Sequence, residues 1–397
     1  MKLEKAFIPY RGYYSTPFSR WQGTLQNEHA IELGASTAKR WLESKGWDPK
    51  MFDYLFLGMT IGQKQWFYGS TWAAALMGAD HIPGMTISQA CTTSTTCIWM
   101  AALGIETGMF KLPFCLMTDR CSNGPHIVWP NPLGPGGEVI SENWMMDNFN
   151  RDPWGGMAMV QTAEAVAKEI GFTREESDEL VLLRYNQYLM ALENDRAFQK
   201  RYMFPAIGRI SKKETKVLEQ DEGVIPTTRE GLKNVRVPVP GGVISFAAQT
   251  FPADGNCGII VTTREKAKEL SADPNIEIQI ISYGYARAEK ARMPKAPVPA
   301  AQMALENAGL KIDDIAVIKM HEPFTVNTYY FAKQFGIKLD RINNYGSSLI
   351  YGHPQGPTAG RLIIEGIEEA VLKGGGYVLF SGCAAGDTAA SLILKVG

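Results

Sequence analysis

The residues best suited to chemistry are Cys91, His321, His353 and Cys383, each set among Gly, Pro or small polar residues. Cys91 sits in Ile87-Ser88-Gln89-Ala90-Cys91-Thr92-Thr93-Ser94, after a strand-like run and before a helix of small side chains. Unpaired N–H groups and the dipole at a helix N-terminus favour an anion, so the position predicts a lowered thiol pKa and a nucleophilic thiolate. His321 begins His321-Glu322-Pro323-Phe324, and His353 lies in Gly352-His353-Pro354-Gln355-Gly356. Neutral imidazoles near a cysteine can take its proton and donate hydrogen bonds to a thioester oxygen. Gly382-Cys383-Ala384-Ala385-Gly386-Asp387 reads as a small-residue turn whose amides could form an oxyanion pocket and whose thiol could shuttle a proton. Each residue also has a bland reading, since a cysteine at a tight turn is commonly a packing residue.

The elements that must position these groups follow from apolar periodicity. It predicts strands at 54–60, 85–88 and 112–118 and helices at 29–42 and from just after Cys91 to Gly108. Alternation of this kind implies a mainly parallel sheet. From residue 119 the composition turns to Gly, Pro, Asn and Trp, followed by helices at 157–170 and 174–195, the second opened by a Thr173/Glu176 capping box. A Lys/Glu-rich stretch at 211–235 reads as solvated surface. Strands resume at 258–262, 276–283, 315–320 and 377–380, with helices at 298–308 and from Gly360. Gly104 and residues 114–117 follow Cys91 at nearly the distances at which Gly366 and residues 377–380 follow His353. This points to one strand-turn-helix-strand unit used twice, with functional groups outside the strand ends.

At about 150 residues per domain, 397 residues allow two or three domains. The 40 Lys+Arg against 41 Asp+Glu leave a net charge of -1, which argues against a nucleic-acid partner. No apolar run reaches the roughly 18 residues of a membrane span, and the N-terminal segment lacks a secretory h-region. Six cysteines without a Cys-x-x-Cys pair fit reduced thiols in the cytoplasm and provide no zinc cluster, so no metal is expected in this chain. His321-Glu322 is not the zinc-protease pattern, because Thr325 stands where its second histidine would be. Walker A, Gly-x-Gly-x-x-Gly and Gly-x-Ser-x-Gly motifs are absent, which removes support for nucleotide hydrolysis, NAD chemistry and serine esterase chemistry.

Cys91 before a small-residue helix, His321-Glu322-Pro323-Phe324, Gly352-His353-Pro354 and a Gly/Ala-rich last turn, in this order, resemble the thiolase superfamily. Residues 157–164 and Thr173-Arg174-Glu175-Glu176-Ser177-Asp178 resemble the family's Met-Gly-x-x-Ala-Glu and Arg-Glu-x-x-Asp segments. The resemblance implies an α/β fold of five layers, α-β-α-β-α, from two duplicated halves with an inserted loop domain. The expected division is 1–118 with 246–265 as the N-terminal half, 119–245 as the loop domain and 266–397 as the C-terminal half. It implies ping-pong cleavage of a 3-oxoacyl-CoA by CoA, with CoA as a substrate and no tightly bound cofactor. Cys91 would become the acyl-enzyme, His353 would activate it, and His321 with His353 would hold one oxyanion. The backbone amides of Cys91 and Gly382 would form the second pocket, and the protein would be a homodimer.

Two departures shape the finer expectations. Aligning Gly386 with the family's terminal glycine puts Phe380 where the second acid/base cysteine belongs, so Cys383 falls three residues late. Thr92-Thr93-Ser94-Thr95-Thr96-Cys97 also replaces the usual Ala-Ser-Gly-Met stretch. The histidine-type motif resembles thiolase-like proteins that work with a zinc-ribbon/OB-fold subunit, which would carry the zinc. Among these the resemblance is to subunits that turn 2-benzoylsuccinyl-CoA into benzoyl-CoA and succinyl-CoA in anaerobic toluene degradation. Trp66, Phe67 and Phe324 would then meet an aromatic acyl group. The alternatives are an acetyl-CoA C-acetyltransferase acting on short aliphatic groups and a catalytically silent, acyl-CoA-binding scaffold. A ketoacyl synthase would need His-Gly-Thr-Gly-Thr at the second motif, where this chain has His321-Glu322-Pro323-Phe324.

Overall fold

The apolar segments assemble into two sheets separated by a shared pair of helices, as seen in a computed structural model that describes residues 1–397. The first half supplies β1 (Tyr13–Ser15), β2 (Ser19–Arg20), β3 (Tyr54–Gly58), β4 (Gly84–Ile87) and β5 (Pro113–Arg120). The next stretch holds two hairpins, β6 (His126–Pro130) with β7 (Val139–Asn143) and β8 (Ala206–Arg209) with β9 (Thr215–Leu218). Then β10 (Ala253–Ile260) returns to the first sheet, whose order is β1-β10-β5-β3-β4 with β2 beside β10. The second sheet has the order β11-β14-β13-β12, from β11 (Ile278–Arg287), β12 (Ile315–Met320), β13 (Gly376–Ala384) and β14 (Thr388–Val396).

Five layers result. Helices Ala30–Lys45 and Gly69–Met77 cover the outer face of the first sheet, and Pro297–Ala308 lies on the second. Helices Thr93–Thr107 and Gly356–Leu372 fill the space between the sheets and pack on each other. A side chain on Gly104 would strike the Phe110 ring, and a Cβ on Gly366 would come 2.7 Å from Val378 Cγ1, so both helices approach their neighbours at these glycines. Thr173 and Glu176 form the expected capping box at the start of helix Arg174–Arg196. No helix is long and apolar enough to cross a membrane.

Several expectations are corrected. The sheets are mixed rather than mainly parallel: β10 runs antiparallel to β5 and β1, and in the second sheet only β12 and β13 are parallel. The strand expected at 377–380 continues to Ala384, so the turn is only Ala385-Gly386-Asp387 before β14. β14 escaped the sequence reading because both its faces are buried and its Ala/Ser-rich start shows no alternation. The helix placed from Gly360 begins at Gly356. His353 is preceded not by a strand but by the short helix Ser348–Tyr351, and it makes a single bridge to Pro252.

Candidate active site

Cys91 lies on a 3-10 turn, Ala90–Thr92, between β4 and the helix Thr93–Thr107. Ala90 is held at φ +45°, a region that L-residues avoid, and Thr93 fixes it by donating from Oγ1 to the Ala90 carbonyl at 2.7 Å. Cys91 is buried, and burial pushes its thiol up to about 12 against the pull of the Ala385 and Cys91 backbone N–H groups. The expected lowering of its pKa is therefore corrected. Removal of the thiolate from water outweighs the helix end.

His321 follows the last residue of β12, and its backbone N–H bonds the Ser381 carbonyl of β13 at 3.1 Å. Its Nδ1 is 2.9 Å from Ser348 Oγ, which also accepts the Glu322 backbone N–H at 3.1 Å. Where the Ser348 hydroxyl donates to Nδ1, the neutral His321 ring carries its proton on Nε2. His353 is held by its N–H to the Phe251 carbonyl at 2.9 Å, and its Nδ1 is 2.6 Å from Thr358 Oγ1. An Nδ1–H donated there leaves His353 Nε2 a free lone pair. Both Nε2 atoms are buried and without a partner. The rings lie 4.2 Å apart, and burial holds both imidazoles neutral, His353 down to about 3.

One thiol and one nitrogen from each ring gather within 4.8 Å of one another. Such a Cys/His/His set is chemically able to ligate a soft divalent ion. Two neutral rings, one presenting an Nε2–H and the other an Nε2 lone pair, also suit proton removal beside an oxyanion donor.

Cys383 is buried next to this group but outside it, and Asn327 Nδ2 donates to its sulfur at 3.2 Å. Burial pushes its thiol well up, with the neighbouring Cys91 adding to the rise. Gly382, expected in a turn, is a strand residue paired with Ala390, and the amide that faces the Cys91 sulfur is that of Ala385. The ring of Phe380 fills the space beside Gly382 and His321. Phe324 is buried and bridges to Gln249, whereas Trp66 and Phe67 stand on an exposed turn, Phe67 89% accessible.

Sequence reasoning gave no role to several residues that build the site. Glu322 forms a fully buried ion pair with Arg184 at 2.9 Å and accepts from Ser347 at 2.7 Å, so it anchors the loop that carries His321 to helix Arg174–Arg196. Its place beside His321 was the available signal. Asp119, at the end of β5, accepts from Thr60, Ile61 and Gly356 N–H groups and is pushed up to about 7 by burial. Gln355 Oε1 lies 3.4 Å from the Cys91 sulfur.

A cavity of about 310 Å³ opens beside the site, lined by Ile225, Leu232, Phe246, Phe251, Leu349 and Ile350 among others. Its wall is tied to the loops that carry His321 and His353, because Thr250 N–H bonds the Pro323 carbonyl at 2.8 Å and the Phe251 carbonyl accepts from the His353 N–H.

Residues 12–265 match the family described as thiolase, N-terminal domain, and residues 275–396 match thiolase, C-terminal domain. The chain is 26% identical over 390 residues to a probable acetyl-CoA acetyltransferase of Mycobacterium leprae, covering 96% of this chain and 97% of the relative. It is 27% identical over 356 residues to acetyl-CoA acetyltransferase of Escherichia coli, covering 88% and 89%. The solved structure of human mitochondrial 3-ketoacyl-CoA thiolase in complex with CoA has a TM-score of 0.89 at 24% identity, covering 100% of this chain and 99% of that one. The Bacillus anthracis acetyl-CoA acetyltransferase gives 0.90 at 23%, with both chains fully covered.

Proposed function

This chain belongs to the thiolase family, and we propose that it cleaves a 3-oxoacyl-CoA with free CoA through an acyl-Cys91 intermediate. It is a CoA-dependent acyltransferase enzyme. The observation that carries the reading is the buried approach of the Cys91 thiol to two imidazoles whose facing nitrogens have no partner.

In the proposed route His353 Nε2 takes the Cys91 proton and the sulfur attacks the keto carbon. The carbon–carbon bond then breaks toward the departing acyl-CoA. Its enolate oxygen receives the His321 Nε2–H bond, which is worth most in a site closed to water. Cys383, held by Asn327, gives the enolate carbon its proton. The Cys383 thiolate takes the proton of free CoA, whose sulfur attacks the Cys91 thioester; the C–S bond to Cys91 breaks, the new acyl-CoA leaves, and His353 returns its proton to the Cys91 sulfur. The cavity beside His353 would hold the pantetheine arm, and the Cys91 and Ala385 amides the thioester oxygen.

Two readings of the acyl group follow from different observations. A short aliphatic group is supported by the acetyl-CoA acetyltransferases to which the chain is similar. The aromatic reading, 2-benzoylsuccinyl-CoA giving benzoyl-CoA and succinyl-CoA, is supported by the His321-Glu322-Pro323-Phe324 motif. A zinc-ribbon/OB-fold partner belongs to that second reading. With either, we place the protein in the cytoplasm, in keeping with six free cysteines, and as a homodimer joined near the edge strand β4 and the exposed Trp66-Phe67-Tyr68 turn. The proposed division into 1–118 with 246–265, 119–245 and 266–397 is kept.

Intact-protein mass spectrometry after mixing with acetyl-CoA, benzoyl-CoA or succinyl-CoA separates the readings. An acyl mass that is lost in Cys91→Ser supports the route, and its identity selects the acyl group. No adduct with any of the three, with the zinc-ribbon subunit present or absent, would overturn the reading.

A further inference from the structure

Gln355 occupies a position that the backbone holds against its preference. Its φ of +60° and ψ of −100° are unusual for a residue with a side chain, and such strain persists only where surrounding bonds enforce it. They do so here from both sides of the next residue. Asp119 accepts the Gly356 N–H at 2.8 Å, and Ser94 on the Cys91 helix donates to the Gly356 carbonyl. The turn is thus pinned by the first half of the molecule, and its side chain points at that half's nucleophile.

Gln355 is 4% exposed. Its Oε1 accepts from the Cys91 thiol at 3.4 Å, and the same amide lies against His353, whose protonated form it favours. Its Nε2 is buried and has no partner. A buried amide N–H without a partner is costly unless something in the working cycle uses it. The terminal torsion of glutamine is broad, so the group can turn without strain.

We propose that Gln355 is a further catalytic residue, whose amide spans the Cys91–His353 pair and stabilises the charges that form when the proton passes between them. In the resting state Oε1 accepts the thiol hydrogen. During transfer the S–H bond breaks, its electron pair stays on sulfur, and the proton forms an N–H bond on His353 Nε2. The amide oxygen then accepts from the imidazolium while Nε2–H donates to the thiolate. One neutral group thereby serves both ends of an ion pair in a site that burial otherwise makes hostile to charge. The proposal rests on the reading of Cys91 as nucleophile, but its test needs no acyl-CoA.

The test is the pH profile of iodoacetamide alkylation at Cys91, followed by peptide mass spectrometry, in the wild type and in Gln355→Leu. The titratable groups facing Cys91 are His353, His321, Asp119, Cys121 and Cys383, and all remain in the variant. A hydrogen bond to a charged group implies a profile displaced upward by about one pH unit or more, with about ten-fold slower alkylation below the midpoint. Gln355→Met, of the same length without an amide, repeats the measurement should the leucine variant fail to fold. Superimposable profiles, or a displacement to lower pH, in the folded variant would overturn the proposal. Failure of the acyl-transfer reading would instead appear as absent acyl adducts in the wild type, with the alkylation shift intact.

Discussion

At the Cys91 turn, Ala90 takes the strained backbone and the helix that follows buries small uncharged residues, Thr93, Ser94, Thr95, Ala101 and Ala102 among them. At the His353 turn, Gln355 takes the strain, and the helix Gly356–Leu372 buries Arg361, Glu365, Glu368 and Glu369. Every one of these charges is engaged. Arg361 meets Asp221 and Glu365, Glu368 meets Arg201, and Glu369 meets Lys319. The first helix must let another helix come close, since a Cβ on Gly360 would meet Ser94 Oγ at 3.0 Å. The second must be fixed in direction, because it carries His353 and Gln355 toward Cys91. Buried ion pairs contribute little net stability against apolar packing, but they penalise any displacement that separates them. Close approach is thus achieved by small side chains, and orientation by charges that reach Asp221 and Arg201 in the 119–245 segment and Lys319 on β12.

The largest effect that would break this contrast is on chemistry: Cys91→Ser should lower turnover by about 10⁴-fold or more while the fold melts normally, checked by steady-state rates. On stability, Arg361→Met leaves Asp221 and Glu365 without their partner and should cost about 3–5 kcal/mol in urea unfolding. Thr95→Val on the other helix removes a buried hydroxyl that has no partner and should change stability by less than about 1 kcal/mol. Equal losses in the two variants would remove the distinction between the helices.

Asp119, which pins the Gln355 turn to the first half, sharpens the comparison through pH. Burial raises its pKa from near 3.8 to about 7, so the folded state holds the proton more tightly than the unfolded chain. Its contribution is fully present below about pH 4 and is lost as pH rises through 7, a change on the order of a few kcal/mol. Asp254, raised to about 6, acts in the same direction. The depressed His321 and His353 act in the opposite direction, so the effect is read as a difference: the melting temperature of the wild type relative to Asp119→Asn should fall as pH rises from 4 to 8. A last comparison concerns the paired glycines. Gly104→Ala drives a methyl into Phe110 and should cost about 1–3 kcal/mol, whereas Gly366→Ala, 2.7 Å from a Val378 methyl that can shift, should cost less.

Much of this is legible in the sequence alone. Cys91, His321 and His353 stand apart in sequence as short motifs at strand and helix ends, and the fold brings them within reach of one another. The helix over Ala30–Lys45 and the Thr173 capping box were readable because local chemistry sets them. Others depended on contacts that sequence spacing does not carry. β14 is buried on both faces and shows no period, and the Gly382 segment looked like a turn because its small residues are spaced for tight sheet packing. The thiol pKa was misjudged because a helix end is visible in a sequence while burial is not. Gln355, Asp119 and Arg184 make their contacts with residues distant in sequence, Cys91, Gly356 and Glu322, so each looks ordinary beside its own neighbours.

Exchange of isotopically labelled CoA into unlabelled acyl-CoA, with no second acyl substrate present, tests the central claim most directly. It requires an acyl group to rest on the enzyme between two CoA molecules. The account requires label to enter acetyl-CoA or benzoyl-CoA with the wild-type protein and not with Cys91→Ser. No exchange with either acyl-CoA, or exchange that survives in Cys91→Ser, would contradict it.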